Sequence, residues 1–183
     1  DGSSRFGENS KYGTFWSTSA GWNIARENFL SDSKFSSLKL RGSYGISGND
    51  APLPDYVNQP YASFGLYGLT ATTIIPTTTG NQNLEWEKVA ITNFGLDFNY
   101  GSRLKGSFEY FINKRKDFLQ LIPQDYQAGS YTVYSNAGDL ENKGYEAELS
   151  YDLIKNENWG LTLYGNTSSI KNKILKLRDE NEK

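Results

Sequence analysis

The sequence contains no cysteine, no methionine and no histidine. Without cysteine there is neither a disulfide framework nor a thiolate metal site. Without histidine the chain lacks the usual general base, the commonest transition-metal ligand and the Ser-His-Asp relay. Strong net charge is absent too: 19 basic and 21 acidic residues leave -2. That gives no case for nucleic acid, whose partners carry a basic patch. No apolar run approaches the roughly 20 residues that a transmembrane helix needs. The chain opens Asp1-Gly2-Ser3-Ser4-Arg5, with no apolar stretch behind a basic start, so it does not read as beginning with a secretory leader.

What is abundant is glycine, with 18 residues, and aromatic side chains, with 13 Tyr, 10 Phe and 4 Trp. Read with a period of two, the chain resolves into alternating segments. Strands are expected at 14–24, 38–46, 88–100, 104–113, 143–153 and 159–169. Trp16, Thr18, Ala20 and Trp22 share one parity of the first, and Leu38, Leu40, Gly42, Tyr44 and Ile46 one parity of the second. In the third, Phe94, Leu96 and Phe98 oppose Asn93, Asp97 and Asn99. In the fourth, Phe108 and Tyr110 oppose Ser107 and Glu109. In the fifth, Tyr145, Leu149 and Tyr151 oppose Glu146, Glu148 and Asp152, and in the sixth Leu161 and Leu163 oppose Thr162 and Asn166.

Within these runs formal charge falls on the polar parity, and Lys88, Lys114 and Lys143 depart from that only at strand ends. An Arg or Lys facing lipid at the bilayer midplane costs about 2–4 kcal/mol, so such a pattern suits a membrane-spanning strand. Tight turns are expected at Gly101-Ser102-Arg103 and Lys155-Asn156-Glu157-Asn158, and long connections over 47–87 and 114–142. A short helical turn plus coil is expected over 25–37. Short turns at one end and long loops at the other is the layout of bacterial outer-membrane barrels, whose short turns are periplasmic. A soluble antiparallel sandwich alternates as well. Aromatic placement favours the barrel: Tyr100, Tyr151 and Trp159 sit beside the short turns, while Tyr44 and Tyr110 sit toward the long loops, as interfacial girdles do. Negative mean hydropathy does not oppose it, because half of each barrel strand faces a polar lumen.

The residues then show a family resemblance. Asp1-Gly2-Ser3-Ser4-Arg5-Phe6-Gly7, Tyr12-Gly13-Thr14-Phe15 and Gly21-Trp22-Asn23-Ile24 resemble the C-terminal barrel portion of SusC/RagA-family TonB-linked outer-membrane transporters. Leu38-Lys39-Leu40-Arg41-Gly42-Ser43-Tyr44-Gly45, Asn83-Leu84-Glu85-Trp86-Glu87-Lys88 and Asn93-Phe94-Gly95-Leu96-Asp97-Phe98 are similar to later stretches of the same barrel. So are Asn136-Ala137-Gly138-Asp139-Leu140-Glu141-Asn142-Lys143-Gly144-Tyr145-Glu146 and Asn166-Thr167-Ser168-Ser169-Ile170-Lys171-Asn172-Lys173-Ile174. Trp16 departs from the pattern, standing where proline is expected.

The resemblance implies that residues 1–183 are part of an all-β, antiparallel transmembrane barrel: about six strands of a plugged, 22-stranded whole. The plug and the remaining strands would lie in residues outside this chain, because six strands cannot close around a plug. It further implies import of an oligosaccharide or peptide across the outer membrane of a Gram-negative bacterium. The expected partners are the TonB complex, a SusD-like surface lipoprotein, the lipid bilayer and the glycan or peptide itself, with no cofactor, metal or nucleic acid. Two other readings stay open: a transporter-like barrel recruited as a structural subunit of another envelope complex, and a soluble carbohydrate-binding β-domain.

Catalysis is the poorest reading, for want of any nucleophile–base pair. Glu146, Glu148 and Asp152 share a strand face, but nothing specifies a sugar between them, and they read as a solvated lumen wall. Asp97, Glu109, Glu146, Glu148 and Asn166 are therefore expected to face the lumen. In the long connections Tyr56, Tyr61, Phe64, Tyr67 and Trp86 mix with Asn58, Gln59, Asn81 and Gln82. They are the candidates for contact with substrate or partner, against the plainer reading that they pack the loop on itself.

Overall fold

The computed structural model describes residues 1–67, 71–78, 80–123 and 132–177. In chain order the strands are β1 (Trp16–Asn23), β2 (Phe35–Asn49), β3 (Tyr61–Tyr67), β4 (Ala71–Thr78), β5 (Glu87–Tyr100), β6 (Leu104–Lys116), β7 (Leu119–Pro123), β8 (Thr132–Asn136), β9 (Gly138–Lys155) and β10 (Gly160–Leu177). Two 3-10 turns, Ile24–Arg26 and Asn28–Leu30, link β1 to β2. Six strands build one antiparallel sheet in the order β1-β2-β5-β6-β9-β10. β3–β4 and β7–β8 are separate two-stranded hairpins. The sheet is not closed among the described residues.

All six expected strands are present, and four of them, β2, β6, β9 and β10, run several residues beyond the expected ends. β9 and β10 have 18 residues each, well beyond the 9–11 that a tilted strand needs to cross a membrane. While β2 lengthens at both ends, the longest extensions, those of β9 and β10, lie at the long-loop end. There the outward parity carries charge, notably Glu141, Lys143, Lys171 and Lys173, which the alternation of apolar residues alone does not recognise as strand. The expected connections over 47–87 and 114–142 are also not plain loops. Each folds back on itself as a hairpin, β3–β4 in the first and β7–β8 in the second.

The register joins the apolar parities of all six strands into one face. Trp22 lies opposite Leu40, Leu40 opposite Leu96, Leu96 opposite Phe108, Phe108 opposite Ala147, and Ala147 opposite Thr167. Aromatics collect at both ends of this face. Trp16 and Tyr44 meet at 5.4 Å between ring centroids near the long-loop end, and Phe35 and Tyr100 at 5.0 Å near the short turns. Between them run Leu40, Phe94, Phe108 and Leu149, all exposed.

The opposite face is polar and internally tied. Arg41 on β2 lies opposite Gly95 on β5, which lies opposite Glu109 on β6. The guanidinium crosses Gly95 to donate from Nη2 to Glu109 Oε2 at 2.8 Å and from Nε to Asp97 Oδ2 at 3.1 Å. A Cβ at position 95 would overlap that guanidinium, so glycine here is a consequence of the bridge. Charge-assisted bonds of this kind are the stronger ones, although partial exposure screens them.

Gly95→Val is expected to destabilise the intact barrel by about 1–3 kcal/mol through overpacking, read by urea unfolding in liposomes. In an Arg41→Ala background the added cost should largely vanish, because the clash is with Arg41. An equal cost in both backgrounds would contradict the assignment.

Candidate functional site: a cap of loops over the sheet

The chain enters and leaves the sheet on the long-loop side, since Trp16 begins β1 opposite Ile46 and Leu177 ends β10 opposite Gly138. The segment before β1, the bases of both long connections and the β7–β8 hairpin therefore gather at one end. Their apolar side chains make the buried core of the described residues: Phe6, Leu53, Val57, Leu84, Trp86 and Leu119. Leu84 is fully buried, and Phe15 and Tyr134 pack against the cluster. The sheet has no apolar core of its own, so this cap holds the buried side chains that a soluble protein would place beneath its sheet.

Polar bonds fix the cap where packing alone would leave it loose. Arg5 Nε reaches Asp55 Oδ1 at 3.2 Å, its Nη1 donates to the Asp50 carbonyl at 3.2 Å, and Ser3 Oγ donates to Asp50 Oδ2 at 2.7 Å. Asn58 Nδ2 donates to the Phe6 carbonyl at 3.1 Å, and Asn81 Nδ2 to the Tyr134 carbonyl at 2.9 Å. Asn136 is the most consequential. Only 5% exposed, it accepts from the Glu85 amide at 3.0 Å and donates to the carbonyls of Glu85 and Asp117 at 2.9 Å each. One amide thus ties the strand before β9, the entry to β5 and the exit of β6. Glu87, 2% exposed, accepts from the Leu119 amide at 3.3 Å through Oε2, while Arg115 Nη1 stands 3.6 Å from Oε1 and supplies charge without a hydrogen bond.

Against this frame the sequence candidates separate. Trp86 is 8% exposed, with its ring 4.7 Å from Phe6 and 5.3 Å from Phe15 between centroids. Its Nε1 has no hydrogen-bond partner among the described residues, so apolar packing holds it as a core residue of the cap. Tyr56, Tyr61 and Phe64 are exposed. Tyr56 stands at a turn with φ 60°. Phe64, 82% exposed, lies opposite the exposed Ile74 on the β3–β4 hairpin. Tyr67 ends β3, and its side chain lies outside the described residues. The hairpin leaves the cap between Gln59 and Gly80, where Gly80 takes φ +69° and a Cβ would meet the Gln59 backbone at 2.6 Å.

On the polar face Asp97 and Glu109 are both held by Arg41. Glu109 lies opposite Glu146, and Glu148 lies between Ser107 and Asn166. Glu146, Glu148 and Asn166 are exposed. The buried roles of Asn136 and Glu87 were not evident from the sequence, where both sit among ordinary polar residues.

Asn136→Ala is expected to cost about 2–4 kcal/mol locally, because it leaves buried backbone groups of Glu85 and Asp117 without partners at about 1–3 kcal/mol each. Limited proteolysis should then cut within 50–86 and 117–137 while the strands stay protected. Unchanged protease resistance would remove Asn136 from its place in the cap.

The chain matches the family model described as TonB dependent receptor-like, beta-barrel, over residues 1–181. It is 35% identical over 182 residues to TonB-dependent receptor P39 of Formosa agariphila, covering 98% of this chain and 17% of that protein. It is also 35% identical over 187 residues to TonB-dependent receptor SusC of Bacteroides thetaiotaomicron, covering 97% of this chain and 18% of the other. Among solved structures it superposes with a TM-score of 0.84 and 28% identity on the RagAB peptide importer in its "closed-closed" state, over 94% of this chain and 19% of that one. The chain therefore spans less than a fifth of the length of these relatives. The open six-stranded sheet, its two unlike faces and these likenesses lead to one conclusion: the chain belongs to the TonB-dependent receptor β-barrel family, of the SusC/RagA type, and forms a portion of the barrel.

Proposed function

We propose that the complete protein imports a nutrient across the bacterial outer membrane under TonB drive, and that this portion supplies barrel wall and extracellular loops. The observation that carries the reading is the continuous register of apolar parities across all six long strands. In a closed barrel that face meets lipid, since charge there is costly. The Arg41 face, with Asp97, Glu109, Glu146, Glu148 and Asn166, then meets the lumen. The short turns lie in the periplasm and the cap outside the cell.

The cargo proposed is an oligosaccharide or a peptide. The second is the cargo named for RagAB, and aromatic rings with amides, as in the loops here, suit either. Partners follow from the family: the TonB complex, through parts outside this chain, and a SusD-like surface lipoprotein over the cap. Tyr56, Tyr61, Phe64 and Tyr67 are the residues proposed to meet substrate or that lipoprotein. The support for Phe64 is its exposure opposite Ile74 on a hairpin projecting from a rigid base. An exposed apolar pair on such an arm is what a binding surface offers and a plain connection does not need.

Removing residues 61–78 takes away the arm and leaves Leu53 and Val57 in the cap core. The shortened protein is expected to fold as a barrel and to lose either lipoprotein association or uptake of its cargo. Co-purification and uptake assays distinguish the two. Normal association together with normal uptake would defeat the reading of the arm.

A further inference from the structure

The apolar face ends, toward the long loops, in a belt of cations. Lys88, Lys114, Lys116, Lys143, Lys171 and Lys173 all stand on the same parity as the apolar residues below them. Lys88 lies directly opposite Lys116, and Lys143 directly opposite Lys171. Like charges paired across a sheet are destabilising, so two such pairs on one face favour an anion beside them. Among the described residues two carboxylates stand on this parity beside the lysines, Glu141, which lies opposite Lys173, and Asp139. Glu141 lies 3.5 Å from both Lys114 and Lys143, and Asp139, on the same parity, is engaged at Oδ1 by the Asp117 amide. Lys88, Lys116, Lys171 and Lys173 make no ion pair among the described residues, and all four are exposed.

The position says what the anion is. The belt is continuous with the lipid-facing surface and sits beyond the aromatic row of Trp16, Tyr44, Tyr110 and Tyr145 that marks the end of the apolar band. Such rows sit at headgroup level, so the lysines reach the headgroup layer and not the hydrocarbon. Resting on the orientation proposed above, that layer is the outer leaflet. We propose that this belt is a binding surface for the phosphate groups of a phosphorylated glycolipid in the outer leaflet of the membrane. Lysine near an anionic surface contributes through charge within a Debye length, and several on one patch act together on a headgroup with more than one phosphate.

The test uses the intact transporter, extracted in mild detergent, washed free of lipid and offered lipid A bearing its phosphates or the same lipid stripped of them. Retained lipid is counted by native mass spectrometry. Wild type should retain the phosphorylated form several-fold better than the stripped form. The triple variant Lys143→Gln, Lys171→Gln, Lys173→Gln should lose most of that preference. Lys39→Gln with Lys105→Gln, on the other face, should keep it. If the triple variant folds poorly, Lys171→Gln alone, which also relieves the Lys143–Lys171 repulsion, should still lower retention. Equal retention of the two lipids, an unaffected lysine variant, or displacement of the lipid by millimolar inorganic phosphate would each overturn the proposal. Cargo uptake measured in the same variants separates this outcome from failure of the transport reading: uptake should persist where lipid retention is lost.

Discussion

In hydrocarbon no backbone N–H or C=O can turn to water, so every strand that crosses a membrane must be paired along its whole length. That constraint organises what is seen here. The four inner strands of the sheet are paired on both sides, and the ladders of β2–β5, β5–β6 and β6–β9 run with at most one irregularity each. An uninterrupted ladder preserves parity from strand to strand, and parity preserves two faces of opposite character. Glycine at 95 and the Arg41 bridge belong to the same logic: cross-strand ties on the polar face reinforce the register, and a slip of one residue would carry charges onto the apolar face.

A sheet with one exposed apolar face and one polar face buries no core of its own. The buried side chains lie instead in the cap, where Leu84, Trp86 and Leu119 meet Phe6 from the segment before β1. Asn136 and Glu87 extend the constraint of paired backbone beyond the sheet, by satisfying amides and carbonyls that the irregular cap would otherwise bury unpaired. The result is a stiff platform from which the β3–β4 hairpin projects. A packed base beneath the exposed Phe64–Ile74 pair is the arrangement on which the proposed recognition rests, because less order has to be gained when a partner arrives.

The strands were legible in the sequence because a half-buried strand writes itself with a period of two, and Phe94 to Phe98 or Tyr145 to Leu153 do so without a break. The strand ends were less legible. Glu141, Lys143, Lys171 and Lys173 continue the ladder with charged side chains, so apolar alternation stops while hydrogen bonding does not. The β3–β4 hairpin was hidden by composition: Thr72, Thr73, Ile74, Ile75 and Pro76 show no alternation, and proline inside a run argues against a strand. For Trp86 the sequence leaves contact with a ligand and packing within the loop both open, because a loop tryptophan carries no mark of whether Phe6, eighty positions away, will cover it. Asn136 was equally silent, since its role depends on three segments that only the fold brings together. Of the loop aromatics, the structure separates the exposed Tyr56, Tyr61 and Phe64 from the buried Trp86.

The central claim is that one parity of these strands meets lipid and the other an aqueous lumen. This chain has no cysteine, so in the intact protein, with any cysteine elsewhere replaced, single cysteines at successive positions from 145 to 153 can each carry a nitroxide after reconstitution in liposomes. Collision with oxygen, which concentrates in lipid, and with a water-soluble nickel chelate should alternate with a period of two. Oxygen should dominate at 145, 147, 149, 151 and 153, and the chelate at 146, 148, 150 and 152. Equal accessibility to the chelate at both parities, or oxygen dominance at 148 in place of 149, would contradict the account.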